Sequence, residues 1–415
     1  MRHNADAKKK NRGKTVCKVL AVLLAVLLAV AGVTAAVNAA GIAANRKFVN
    51  GIAPLSYETQ LQPEKDAAGR WVFTADRDFK ILQLSDIHIG GGFMSIRKDG
   101  MALNAVAAMI TAEQPDLVVL TGDLTYPVPV QAGTFNNKEN AKLLADLMEQ
   151  LGVYWAPVLG NHDSESYSYY SRETIGALYE SDAYPHCLFQ AGDAVVDGVG
   201  NYCINVQNTK GEVTQSLFFL DSNAYVKGNV PGVSWKYDCI HENQVEWYEQ
   251  ELGRITAQNG GEQPKSLAFF HMPPQEMQTA YYEYRDNGYR DTETVQYKFG
   301  EAGERDIVVY PSELNYGFFD RVLALGSTQG IFFGHDHLNN ISLVYKGVRL
   351  TYGYTIDYLA YSGIKNYGAQ RGCTVITVSP DGSFDCSHEN YYQDKYSPVS
   401  EKETVRMDAY YPESE

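Results

Sequence analysis

The sequence predicts an α/β fold, a layered β-sandwich flanked by helices, carried behind an N-terminal signal or membrane-anchor segment. Three observations point there. Brief apolar runs of strand length alternate with amphipathic helical stretches, polar residues follow those runs at their carboxyl ends, and one long apolar run lies near the amino terminus.

Residues 1–44 form the signal or anchor. Arg2, Lys8, Lys9, Lys10, Arg12, Lys14 and Lys18 precede an almost unbroken apolar run from Val19 to Val37. That order belongs to a secretory signal or an uncleaved anchor, and the run is just long enough to span a bilayer as a helix. Val37-Asn38-Ala39-Ala40 offers a cut after Ala39, and cleavage and anchoring stay equally open. Either outcome leaves the rest of the chain extracellular or at the cell surface, secreted or membrane-anchored, touching the membrane only through an uncleaved leader.

Residues 45–70 read as a linker, 71–395 as one domain and 396–415 as a polar tail. Within the domain, Phe79–Leu84, Leu117–Thr121, Tyr154–Leu159, Leu217–Leu220, Leu267–Phe270 and Gly330–Phe333 suit buried strands. Met101–Glu113, Lys138–Leu151, Glu242–Ile255 and Ser312–Leu325 read as amphipathic helices between them. Gly347–Thr351 and Cys373–Val378 look like late strands of a second sheet, with Asp381-Gly382 marking a hairpin turn. Asp286–Tyr310 lacks periodicity and reads as a long insertion, either a lid over a site or a surface excursion.

Composition narrows the function. Apolar residues at 45% and charged ones at 20% exclude wholesale disorder. The formal charge is −15, but residues 1–50 hold nine Lys or Arg against one acid, which leaves −23 on the remainder. So acidic a body repels phosphate backbones, and no nucleic-acid partner is expected. A small phosphorylated substrate is compatible if a local cation offsets the field. Cys187, Cys203, Cys239, Cys373 and Cys386 contain no Cys-x-x-Cys pair, which argues against structural zinc. Cys187 with Cys203 and Cys373 with Cys386 are candidates to close hairpins; buried free thiols are the equal alternative.

The strand ends carry the chemistry. Phe79–Leu84 runs into Ser85-Asp86-Ile87-His88, Leu117–Thr121 into Gly122-Asp123, and Tyr154–Leu159 into Gly160-Asn161-His162-Asp163. Leu267–Phe270 ends in His271, and Gly330–Phe333 in Gly334-His335-Asp336-His337. Ligands gather at the carboxyl edge of α/β sheets. Imidazole, carboxylate and amide oxygen together suit iron, zinc or manganese. The glycines before Asp123, Asn161 and His335 are expected to let the backbone turn sharply.

This ordered set, Asp-x-His, Gly-Asp, Gly-Asn-His-Asp, His and Gly-His-x-His, resembles the calcineurin-like metallophosphoesterase superfamily from about Phe79 to Val378. The phrases "FKILQLSDIH", "FFHMPP" and "FFGHDHLNN" with "YGYTIDYLAYSG" look most like its purple-acid-phosphatase-related branch. Gly-Asn-His-Asp alone arises by chance in roughly one chain in 400; five blocks in order exclude coincidence.

The resemblance implies a metallophosphoesterase-type sandwich holding two metal ions, from iron, zinc or manganese. By it, Asp86, His88 and His337 hold the first metal, Asn161, His271 and His335 the second, and Asp123 bridges both. His162 faces the substrate and protonates the leaving alkoxide, and Asp163 orients His162. A hydroxide bridging the metals attacks phosphorus. Tyr126 stands where purple acid phosphatases place a tyrosinate ligand, although His88 is also present, so either or both can serve the first metal; a bystander tyrosine is the favoured reading.

The function expected is an exported hydrolase of phosphate monoesters. Alternatives are a phosphodiesterase using the same site, or an inactive cell-surface binding protein on this fold. Tyr167, Tyr169 and Tyr170, and from the opposite side Tyr281, Tyr282 and Tyr284, are candidates to stack on a substrate ring. His186, His241 and His388 read as ordinary surface or helix-end residues, Asp336 as a hydrogen-bonding neighbour of the ligands, and Asp116 and Asp221 as strand terminators.

Overall fold

The computed structural model describes residues 2–230, 234, 236–304, 308–361, 364 and 371–396. The polar tail lies outside them from residue 397 onward. In chain order the elements begin with α1 (Arg2–Val49), β1 (Glu64–Lys65), β2 (Trp71–Thr74), β3 (Phe79–Leu84), α2 (Ile96–Glu113), β4 (Leu117–Thr121), α3 (Asn137–Leu151) and β5 (Trp155–Val158). Then come α4 (Arg172–Tyr179), β6 (Tyr202–Gln207), β7 (Val213–Phe219), α5 (Glu242–Gln258), β8 (Lys265–Phe269), α6 (Gln275–Asp286) and β9 (Val295–Phe299). The last are α7 (Phe318–Leu325), β10 (Thr328–Phe333), β11 (Ser342–Tyr345), β12 (Val348–Tyr352), β13 (Gly372–Val378) and β14 (Phe384–Asn390).

The strands form two sheets. One has five strands in the order β14-β13-β3-β4-β5, the other nine in the order β1-β2-β6-β7-β8-β10-β12-β11-β9. Strands β3, β4 and β5 run parallel, as do β7, β8 and β10. The late pair β13–β14 joins the sheet of β3 rather than building a second one, which corrects the sequence expectation.

Paired phenylalanines show how the layers form. Phe219, Phe269 and Phe332 stack across neighbouring strands at 5.3 Å, within the core shared by the two sheets. The adjacent Phe218, Phe270 and Phe333 point to the opposite face, into a second core with Tyr248 of α5 and Phe318 and Val322 of α7. This two-residue alternation is what a strand buried on both faces requires. Helices α2 and α3 cover the five-stranded sheet through Leu103, Met109, Leu144 and Met148.

Three expectations are revised here. The residues from 45 onward do not dangle: 45–49 complete α1, Leu55 N donates to Leu151 O, and Tyr57 donates to Pro115 O. The stretch 286–310 contributes β9, the edge strand beside β11, and so forms part of the sheet. The predicted helix Ser312–Leu325 starts only at Phe318. The cysteines are free: Cys373 stands opposite Glu389 and Cys386 opposite Ile376 across the β13–β14 ladder.

Candidate metal centre

The carboxyl ends of β3, β4 and β5 in one sheet meet those of β8 and β10 in the other. Asp86 and His88 follow β3, Asp123 follows β4, Asn161 follows β5, His271 follows β8, and His335 and His337 follow β10. Packing the two sheets therefore brings together seven side chains that are distant in sequence.

The backbone is bent to aim them. Asp86, His88, Asp123 and His335 all have positive φ, between 50° and 78°, and they are half of the eight non-glycine residues that do so among the described residues. Such conformations cost on the order of 1–3 kcal/mol each and persist where surrounding contacts over-determine them. The glycines act in two ways. Gly122 has φ +89° and makes a turn, whereas Gly160 and Gly334 supply clearance: a Cβ on Gly160 would sit 2.2 Å from Asp123 Oδ1, and one on Gly334 2.5 Å from Asp86 Oδ2. The expectation of three sharp turns holds only for Gly122.

Donor atoms of Asp86, His88, Asp123 and His337 all lie within 4.8 Å of one another, and those of Asp123, His271 and His335 do the same. Asp123 belongs to both sets. Its Oδ2 faces His88 Nε2 at 3.4 Å and His271 Nε2 at 3.2 Å, while its Oδ1 accepts from the backbone N–H of His162 at 2.7 Å. Asn161 Oδ1 lies 3.2 Å from His271 Nε2 and 3.1 Å from His335 Nδ1.

These contacts test whether a cation fits. His271 Nδ1 lies 2.9 Å from the carbonyl of Thr121, an acceptor only, so this nitrogen carries the ring proton of a neutral imidazole. The Nε2 lone pair then faces the lone pairs of Asn161 and Asp123. Acceptors converging in a buried space repel unless a positive charge lies between them, and the donor set suits iron, zinc or manganese. Burial works against a charged His271, yet Asp123 raises its pKa to about 9. Burial also opposes charge on His88, but Asp357 and Asp123 hold its pKa well above the usual value. Asp123 itself is pulled far below the carboxylate range by His271 and His162, against its burial. Burial and neighbouring His271 push His335 down.

Around this centre the structure places groups that sequence reading missed. Asp357, fully buried, faces His88 Nδ1 at 3.2 Å and His337 Nδ1 at 3.6 Å, and accepts from the backbone N–H of Leu359 and Ala360 at 2.7 and 2.8 Å. Its only sequence signal was its place in the phrase following the Gly-His-x-His block. Arg172 braces the Asn161 loop by donating to Gly160 O and Leu159 O at 2.7 and 2.8 Å while paired with buried Asp221. Asp221 is thus more than a strand terminator.

The reading of Asp163 needs correction. Its carboxylate accepts from the backbone N–H of Thr125 and of Gly160, both at 2.8 Å, so it ties the β4 and β5 loops together. Burial and the nearby Asp123 push its pKa up to about 6. The carboxylate that meets the His162 ring is Glu165, with Oε1 2.7 Å from Nδ1 and also accepting from Tyr225 at 3.0 Å. His162 is 17% exposed, whereas His88 and His271 are wholly buried, so it borders the opening. Tyr126 stands 4.9 Å from the His88 ring and 4.7 Å from that of His162, and its hydroxyl donates to Gln131 at 2.8 Å.

Outside the centre, Tyr281 and Tyr284 are buried in the core beneath α6 and have no face for a ligand. Tyr169 is exposed and stacked on Phe135. Asp336 accepts from Tyr352 and Tyr310, away from the donors. His388 is half-buried: its ring lies between Phe299 and Tyr354, and burial lowers its pKa to about 3.

Residues 79–339 match the calcineurin-like phosphoesterase family, well over half of the chain. The chain belongs to that family. It is 28% identical over 332 residues to "Probable inactive purple acid phosphatase 29" of Arabidopsis thaliana, covering 74% of this chain and 78% of that one. "Probable inactive purple acid phosphatase 28" of the same plant is 29% identical over 322 residues, 70% of this chain and 73% of the relative. A solved dimetal phosphatase from Danio rerio superposes with a TM-score of 0.46 at 14% identity, over 76% of this chain and 97% of the other. Family and side-chain cluster together support a dinuclear metal site in this phosphoesterase.

Proposed function

We propose that this calcineurin-like phosphoesterase is a metal-dependent hydrolase of phosphate monoesters, working at the outer side of a membrane. The observation that carries the reading is Asp123 Oδ2, which one buried carboxylate oxygen presents to both donor sets at once. Asp86, His88 and His337 would hold one ion, Asn161, His271 and His335 the other, with Asp123 between them.

Two such ions, when bound, lower the pKa of water and neutralise phosphoryl charge. The chain supplies the rest. With a formal charge of −15 the chain's overall field does not attract a phosphate ester, so the substrate is recognised where the metal donors gather. His162, at the border of the opening, is the group placed to give a proton to the departing oxygen. With Glu165 accepting from Nδ1, Nε2 is the ring nitrogen left for that transfer. The His162 backbone is pinned by Asp123, so the proton donor and the donor sets keep a fixed relation. Tyr126 shields one side of His162 from water.

A second reading, binding without turnover, is favoured by the word "inactive" in the names of the Arabidopsis relatives. Against it, each of the seven donor positions is filled here by a side chain with a lone pair to offer. The test is turnover of aryl phosphate mono- and diesters by the purified chain with added iron, zinc or manganese, and with a chelator. Metal-dependent hydrolysis favouring monoesters is expected. A preference for diesters would transfer the proposal to phosphodiester cleavage, and no turnover with two ions bound would favour the binding reading.

A further inference from the structure

We propose that α1 is kept as a membrane anchor whose last turns belong to the catalytic domain, and that Phe93, Met94 and Val130 form a rim resting in the bilayer interface beside it. This inference does not depend on the catalytic reading.

The carboxyl end of α1 is docked. Ile42 and Val49 are buried, Asn45 donates to Ile96 O at 3.1 Å, and Arg46 pairs with Asp146 at 3.0 Å. Gly41 packs so closely that a Cβ there would lie 2.4 Å from Ile96 Cδ1. These residues all follow Ala39 and stay with the domain whether or not the leader is cut, so they fix where the helix leaves it; the contact that bears on cleavage is made by Asn38. Cleavage after Ala39 would sever Asn38, whose side chain ties two loops together: Oδ1 accepts from Phe93 N at 2.6 Å, and Nδ2 donates to Gly133 O at 3.2 Å.

Asn38 also marks where the helix leaves the domain. On its amino-terminal side the large apolar residues from Val16 to Val37 are exposed, Leu27 to 66%. Val19 to Val37 spans about 28 Å as a helix, close to the hydrocarbon thickness of a bilayer. A membrane around that segment ends near the level of Asn38. At that level lie the two loops Asn38 joins, and each carries exposed apolar residues: Phe93 and Met94 on one, and Val130, 76% exposed, on the turn before Gly133 of the other. The Phe93 ring lies over Gly133, which leaves no room for a Cβ. Arg97 and Lys98 follow Met94 by one turn, a basic pair on an otherwise acidic body. Aromatic and apolar tips next to basic residues suit the headgroup layer. The site shares this architecture, because Gln131, next to Val130, receives the hydroxyl of Tyr126. An interfacial rim therefore brings Tyr126 and His162 near the headgroups.

The experiment places an environment-sensitive fluorophore on Phe93→Cys, Met94→Cys or Val130→Cys in the full chain, reconstituted in vesicles of mixed neutral and anionic phospholipid. Cys17→Ser and Cys239→Ser remove the thiols that are not buried. Val195→Cys, at a position 79% exposed on another loop, is the control. The three rim sites should emit to the blue of the control and lose several-fold more intensity to a lipid-borne quencher. Rim sites that emit and quench like Val195→Cys would overturn the proposal. So would an intact mass showing the mature chain beginning at Ala40.

Discussion

Around Asp123 the structure gathers two sets of donors, and the set on the Asp86 side carries far more negative charge than the set on the Asn161 side. Asp86 contributes a carboxylate directly, and Asp357 stands behind both His88 and His337. On the other side the direct oxygen is the neutral amide of Asn161. Behind His271 is a backbone carbonyl, and behind Asn161 the hydroxyl of Tyr225 at 2.8 Å. Burial strengthens the difference, since these groups are nearly all shut off from water. One shared carboxylate thus links a strong field to a weak one. The Asp86 side is expected to take the harder, more highly charged cation and to release it last to a chelator.

The largest effect comes from removing what the two sides share. Asp123→Asn loses the oxygen facing both histidines, and turnover should fall by roughly a thousandfold or more, with fewer than two ions retained per chain. Full turnover with both ions bound would break the description of Asp123 as the link. Asp357→Asn tests the charged side alone. Groups that orient metal-bound imidazoles typically change affinity by about 10–100-fold. That loss should be confined to one ion of the pair, read by metal titration, while the more weakly held ion keeps its affinity. Equal weakening of both would mean that Asp357 acts on the fold rather than on one half of the site.

How much of this asymmetry was legible in the sequence follows from where the information lies. Asp86, Asp123, Asn161 and the histidines could be located because each directly follows an apolar strand, and strand ends are local features. β3 and β4 have the boundaries predicted from hydropathy alone. Asp357 follows the short strand β12 within an irregular loop, and nothing local distinguishes it from other aspartates. The same holds for Glu165, which lies three residues beyond His162 on a short helical turn that brings it to the ring. Asp163 was the nearer carboxylate in sequence, but the turn directs it inward to two backbone N–H groups. The sheet membership of β13 was hidden for another reason: strand partners are chosen by the packed core, not by order along the chain.

Arg172→Lys tests the weaker side. Lysine keeps the charge opposite Asp221 but cannot reach Asp221, Gly160 O and Leu159 O together as the guanidinium does. The loop bearing Asn161 should loosen. We expect affinity for the second ion to drop by about tenfold with the first unchanged, the converse of Asp357→Asn. If both variants weaken the same ion, the division of the site into halves is wrong.

The smallest effect should come from a residue belonging to neither half. Glu165→Gln preserves the shape next to His162 Nδ1 and removes the charge, so both ions should remain bound with unchanged affinity. What changes is the support for a proton moving through the imidazole. A phenol departs readily without that proton, whereas an aliphatic alcohol needs it. Turnover should therefore fall by about tenfold on an alkyl phosphate and by much less on an aryl phosphate. An equal loss on both esters would assign Glu165 to positioning the loop alone, and a loss of metal would join it to the Asn161 side, where Tyr225 already connects the two.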